Sequence, residues 1–177
     1  MRYFGLILGL FFCLVGCKNC NHRQNHINKI EIAAGGGILR APVIGLILDS
    51  SLSLKYYGGL YAKRQGFFEG KVDKPFWDSL TYKFEKIRIK SADTTRNYVL
   101  DAEQAEAIIV IGNYKIHVYH IIGDNRDSIT NFLLWTLNAY KGIVLQKLKD
   151  SVKFETTIQF MKDPIEKKDP VKFPINK

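Results

Sequence analysis

A chain of 177 residues with 46 % hydrophobic and 24 % charged side chains has a globular composition and enough length for one domain with a buried core. Its 26 basic against 17 acidic residues give a formal charge of +9, which favours anionic lipid heads, polyanionic polymers or acidic proteins as contacts. No run of five like charges occurs and no groove-reading motif is present, so the surface reads as solvated and a nucleic-acid partner is excluded.

Met1-Arg2 supplies a short positive start, residues 6–15 are apolar apart from Gly9 and Cys13, and Leu14-Val15-Gly16-Cys17 follows. This is the layout of a secretory signal, with charge held at the inner face, an apolar helix in the translocon and small residues at the cut. The stretch is too short for a permanent membrane span, which needs about 20 residues. Residues 1–16 therefore read as a signal peptide, cut between Gly16 and Cys17. Since Arg2 is their only charged residue, removal leaves 25 basic against 17 acidic residues, a charge of +8.

Leu14-Val15-Gly16-Cys17 also resembles the lipobox of bacterial lipoproteins. The resemblance implies that the Cys17 thiol is alkylated by a diacylglyceryl group and that Cys17 becomes the mature N-terminus. Acyl chains such as palmitate bury methylenes at about 0.8 kcal/mol each, so several chains together hold a protein on a membrane with no second anchor. Lys18-Asn19 lacks the aspartate that keeps enterobacterial lipoproteins on the inner membrane, which points to an outer membrane facing the periplasm.

Cys13 leaves with the signal, Cys17 carries lipid and Cys20 is the remaining thiol, so no intrachain disulfide is expected. Cys17-x-x-Cys20 followed by His22 and His26 has ligand-like spacing. An acylated sulfur cannot ligate zinc, however, and Cys20, His22 and His26 are too few for a closed site. No metal or cofactor is expected, and residues 17–26, rich in Asn, His and Gln, read as a flexible tether.

A single domain is expected over residues 27–161. Ile30, Ile32 and Ala34 alternate with Glu31 and Ala33, a strand ended by Gly35-Gly36-Gly37. Residues 42–49 are apolar on both faces and predict a central strand. Asp49-Ser50-Ser51 supplies a turn, and Leu52, Leu54 and Tyr56 alternate with Ser53, Lys55 and Tyr57 to make a hairpin partner. A further strand is expected over 61–72. Asp73 suits a cap, Pro75 a first turn, and Phe76, Leu80, Phe84 and Ile87 one face of an amphipathic helix. After a polar loop over 91–97, residues 107–111 and 114–122 flank Gly112-Asn113, a hairpin signal. Residues 127–148 predict a second helix that buries Ile129, Phe132, Leu133, Leu137 and Tyr140 and breaks at Gly142. Phe154, Thr156, Ile158 and Phe160 alternate with Lys153, Glu155, Thr157 and Gln159, a last strand. Residues 162–177 read as an extended Lys/Pro-rich tail. The order strand-strand-strand-helix-hairpin-helix-strand predicts an α+β fold, an antiparallel sheet with two main helices packed on one face.

Gly35-Gly36-Gly37 leads into Pro42 and a strand, so it is a turn and not a phosphate cradle. On a strand, the odd separation of His117 and His120 sends them to opposite faces, where they cannot grip one metal. Lys115, His117 and Tyr119 share one face, the candidate binding face if helices cover the other; a merely solvated face is the competing reading. Asp101, Glu103 and Glu106, like Asp124 with Asp127, read as capping and solubility residues. No nucleophile motif, zinc-protease motif or calcium loop is present, so no catalytic residue is assigned.

Gly37-Ile38-Leu39-Arg40-Ala41-Pro42-Val43-Ile44, Gly66-Phe67-Phe68-Glu69-Gly70 and Tyr98-Val99-Leu100-Asp101 resemble an uncharacterised domain family of bacterial lipoproteins. Its first hairpin reads roughly Cys-Phe-Gly-x-Cys-Pro-x-Tyr. Gly37 and Ala41 stand in place of both cysteines, so no disulfide or redox role carries over, and the family has no assigned activity. The expected function is a lipid-anchored binding or scaffold module that contacts an envelope protein or polymer. An envelope hydrolase whose site is assembled from distant residues is the alternative.

Overall fold

The computed structural model describes residues 26–36, 41–87, 89, 102–122 and 127–158. Gly16, Cys17, the expected tether, the 91–97 loop and the 162–177 tail lie outside these residues.

β1 (Ile27–Gly36) and β2 (Ala41–Asp49) are largely buried along their length, as strands apolar on both faces must be. They take inner places in a seven-stranded sheet of order β6-β5-β1-β2-β3-β4-β7, in which every pairing is antiparallel. β3 (Ser53–Gly58) and β4 (Gly66–Lys71) continue the meander. α1 (Lys74–Lys86) then returns the chain, so that β5 (Glu103–Ile111) pairs with β1 and β6 (Tyr114–Ile122) forms one edge. α2 (Ser128–Leu137) and a 3₁₀ turn (Asn138–Gly142) lead to β7 (Gln146–Lys147) on the other edge. Sheet and two helices agree with the expected class; sheet dominates.

Strand register decides which side chains meet. Ile30 lies opposite Leu48 and Ile109, and Ile32 opposite Leu46 and Ala107. These residues join Leu54, Tyr56, Leu80, Phe84, Phe132, Leu133 and Leu137 in one buried cluster that strands and helices share. Each fully buried aliphatic or aromatic side chain contributes about 1.5–3 kcal/mol. Asp73 Oδ1 accepts the Phe76 N–H at 2.8 Å and Asp127 Oδ1 the Thr130 N–H at 2.7 Å, so each helix starts on an aspartate cap. The helices meet through Phe76 stacked on Trp135, with centroids 4.7 Å apart, and through Phe84 against Phe132 at 6.0 Å.

Several boundaries differ from the expectation. Gly35 and Gly36 extend β1 instead of ending it, and four strands precede α1 where the coarse order had three. β4 starts only at Gly66, because residues 59–65 form a tight turn. Within it Val43 N–H donates to the Leu60 carbonyl and Gly59 N–H to the Val43 carbonyl, both at 2.9 Å. The second helix ends at Leu137 and not at 148, where the Asn138 side chain donates to the Leu134 carbonyl at 2.8 Å. Residues 143–145 are extended so that the chain reaches the β4 edge, where Gln146 and Lys147 pair with Glu69 and Phe68. They pass so close that a Cβ on Gly70 would lie 2.8 Å from Ile143 Cγ2. Tertiary pairing thus overrides helical periodicity. The expected last strand is absent among the described residues: 152–158 join no ladder.

Gly58 is the tightest point of the turn, since a Cβ there would sit 1.8 Å from the Arg64 carbonyl oxygen. Gly58→Ala is expected to cost at least about 1–3 kcal/mol through forced displacement of this backbone, measured by urea unfolding; a change within 0.5 kcal/mol, on the scale of a surface substitution, would contradict the close approach.

Candidate functional site

The sheet face turned away from the helices carries an unusual load. Alternation places Lys29, Glu31 and Ala33 of β1, Gly45 and Ile47 of β2, Tyr57 of β3, Glu106 and Ile108 of β5, and Lys115, His117 and Tyr119 of β6 on it. Glu31 and Glu106 are 0 % exposed, on strands otherwise rich in Ile, Val and Ala. A buried carboxylate without donors costs several kcal/mol, so both need partners.

The partners are the backbone N–H groups of residues 155–158, which cross this face as a strap. Glu31 Oε1 accepts the Glu155 and Thr156 N–H groups, each at 2.6 Å, and the Thr156 hydroxyl at 2.9 Å. Glu106 Oε2 accepts the Thr157 N–H at 2.7 Å, the Ile158 N–H at 3.2 Å and the Thr157 hydroxyl at 3.1 Å. Glu106 Oε1 lies 2.7 Å from His117 Nε2. Consecutive N–H groups that lack a strand neighbour still need acceptors, and two acidic side chains supply them. Phe154 anchors the strap's start over Gly45, where a Cβ would come 3.0 Å from its ring, and Tyr57 approaches it at 6.3 Å between centroids.

Around this clamp the charges are matched. Glu155 bridges Lys29 at 2.9 Å and Lys115. Hydrogen bonds from Lys115 and Lys29 pull its carboxyl down to about 2. Burial alone would raise the Glu106 pKa, but the Thr157 N–H, His117, the Thr157 hydroxyl and the Ile158 N–H outweigh it, and the pKa lies below the ordinary value. Burial of Lys29 is likewise outweighed by Glu155 and Glu31, and its pKa is raised.

Lys115, His117 and Tyr119 do fall on one face, with the His117 and Tyr119 rings 4.5 Å apart, but the chain's own strap lies against it. His120 is on the opposite face, its Nε2 2.6 Å from Thr130 Oγ1 and 3.5 Å from Asp127. The acidic cluster separates: burial raises the Glu103 pKa, while Glu106 is a buried clamp residue and not a solubilising one. Asp127 does cap α2; Asp101 and Asp124 lie outside the described residues. Glu31, Lys29 and Glu155 carry the site without any motif. The signal was an acid inside a two-sided apolar strand, Ile30-Glu31-Ile32 and Ala105-Glu106-Ala107, which demands a donor from elsewhere.

As chemistry, the arrangement holds backbone. The His117–Glu106 pair has the form of an oriented base, yet both Glu106 oxygens are engaged by the protein itself. A cavity of about 500 Å³ between the start of α1 and the 3₁₀ turn is lined by Val72, Asp73, Phe76, Ala139, Ile143 and Val144 among others, with no histidine. Among the described residues no group of three His, Cys, Asp or Glu side chains is placed to hold a metal, and no helix is long and apolar enough to cross a membrane. The chain matches no family model, and no curated protein is significantly similar to it.

Glu31→Ala and Glu106→Ala each strand buried N–H donors, at about 1–3 kcal/mol per unsatisfied group. Both are expected to lower unfolding stability and to speed amide hydrogen exchange at 155–158 selectively. Unchanged exchange there would remove the clamp. On pH, the Glu106 and Glu155 carboxyls titrate below their unfolded value of 4.5. Their stabilisation is therefore complete above that value and lost as pH falls through the lowered folded values, which for Glu155 is about 2. That of Lys29 is complete below 10.5 and lost as pH rises through its higher folded value. Protection of 155–158 is expected to fall in the acid window before that of β1 and β5, as hydrogen exchange at stepped pH will register.

Proposed function

We propose that this chain is a bacterial lipoprotein, cleaved after Gly16 and acylated on Cys17, whose α+β domain is a binding or scaffold module of the cell envelope. The layout of residues 1–17 supports the anchor, and Lys18-Asn19 favours an outer membrane facing the periplasm. The observation that carries the binding reading is the β6 margin. This nine-residue strand ends the sheet, and among the described residues no strand pairs with its outer edge. A long edge of this kind is a template for an extended partner segment. Lys115, His117 and Tyr119 stand along it beside the strap, with Lys115 paired to Glu155 and His117 to Glu106, so the edge offers chiefly its backbone N–H and C=O groups and the Tyr119 ring to an envelope protein or polymer. The hydrolase alternative is weaker, because no nucleophile motif accompanies the His117–Glu106 pair and the strap lies against that face.

Two measurements test this reading. Cys17→Ser is expected to accumulate as an unprocessed precursor that takes up no labelled acyl chain; normal labelling would end the lipoprotein reading. Lys115→Ala with Tyr119→Ala is expected to remove crosslinks formed by the native lipidated protein in its envelope while the circular dichroism spectrum is kept. If every crosslink survives, β6 is not the contact.

A further inference from the structure

The two ends of the sheet differ in a way that the clamp and the β6 margin do not use. β1 starts beside the turns at 49–53 and 112–113: the Asn28 carbonyl accepts the Ser50 N–H at 2.9 Å, and its side chain accepts the Gly112 N–H. Any tether before residue 26 joins the domain at that end. The turn at 59–65 lies at the other end, where Gly58 pairs with Ile44 and Gly66, roughly 30 Å away by the rise of a ten-residue strand.

That far turn is rigid and presents its side chains outward. The Leu60 carbonyl is held by Val43, Ala62 is buried, and the Arg64 carbonyl accepts the Tyr56 hydroxyl at 3.2 Å over Gly58. Tyr56 is itself fully buried and stacked on Tyr140 at 4.4 Å. On this frame Leu60 is 37 % and Tyr61 44 % exposed, and Tyr61 takes φ +61°, a conformation costing a non-glycine residue of order 1–3 kcal/mol. Exposed Lys63 and Arg64 flank them. Lys147 of β7 reaches Gly66, and Lys149 follows Leu148, whose N–H is bonded to Phe67. Lys29, Lys74 and Lys115 have carboxylate partners, whereas these four cations, like Lys55, Lys71, Lys141 and Lys153, form no ion pair among the described residues; what sets the four apart is their gathering at the Gly66 end of β4.

We propose that the 59–65 turn, with Lys147 and Lys149, docks on the carboxylate-bearing, peptide-crosslinked glycan of the cell wall: Tyr61 and Leu60 pack on sugar faces while the four cations meet carboxylates. Patch size decides against a stable protein partner, because such an interface engages about 20–30 residues a side. A repeating polyanion suits a small patch, since many copies on one surface bind it through avidity. The anchoring bilayer is the other anionic surface within reach, and the vesicle arm of the test below decides between the two. The proposal rests on the envelope reading above, but its test does not require the lipid.

The test is co-sedimentation of the full-length protein in detergent micelles with isolated cell-wall sacculi, and in a parallel arm with phosphatidylglycerol vesicles. Sedimentation with sacculi is expected. Lys63→Glu with Arg64→Glu is expected to weaken it about tenfold, the order for reversing two surface charge contacts; Lys63→Gln with Arg64→Gln serves if the reversal misfolds. Tyr61→Asn, which tolerates the positive φ, is expected to weaken it several-fold. Lys74→Glu, at the tether end, is expected to leave it unchanged, as is Cys17→Ser, which separates this proposal from failure of the lipoprotein reading. No sedimentation, sedimentation indifferent to the turn variants, or preference for vesicles would each overturn it.

Discussion

Two carboxylates set inside a sheet must find hydrogen-bond donors, and much of this fold is arranged around that requirement. Glu31 and Glu106 occupy central strands, so neither can turn to water. Their donors come from residues 155–158, over 120 positions along the chain from Glu31. A length of backbone that would otherwise need a strand neighbour is thereby fixed crosswise over the strands. The apolar residues of the same segment, Phe154 and Ile158, are buried as a result. Hydrophobic burial on this face is therefore conditional on an electrostatic match, whereas on the helix side packing alone suffices.

Local patterning made the elements legible and left their partners unread. The alternation in β6, the run apolar on both faces in β2, the Gly112-Asn113 turn and the Asp73 cap each depend on a few neighbouring residues and stand close to where the sequence puts them, while β1 runs through the Gly35-Gly36 expected to end it. Failures occur where a distant surface decides. Residues 138–148 continue a helical pattern, but the β4 edge requires extended chain over Gly70. Residues 153–158 alternate like a strand because one side packs down and the other faces out, which a strap over a sheet also demands. Glu106 sits among acids that look solvated, and only the pairing of β5 with β1 makes its position an interior one.

Three margins of the domain are consequently unlike one another. The helix-covered face is closed packing. The opposite face is partly spent on the strap, with Lys115, His117 and Tyr119 at its rim. The turn at 59–65 is stiff because its carbonyls are tied to Val43 and Tyr56, so its exposed side chains hold their positions without losing much freedom on contact. Rigid presentation at an end and, among the described residues, an outer β6 edge that no strand covers are independent properties of the domain.

The strap also has a consequence in time. A chain synthesised from its N-terminus presents Glu31 and Glu106 long before the residues that satisfy them exist, so the nascent sheet cannot bury that face while it grows. Closure waits for residues 155–158, and until then the half-built protein keeps two carboxyl groups without the donors that the finished fold supplies. Such delayed ripening keeps the polypeptide open and extensible until residues 155–158 have been made.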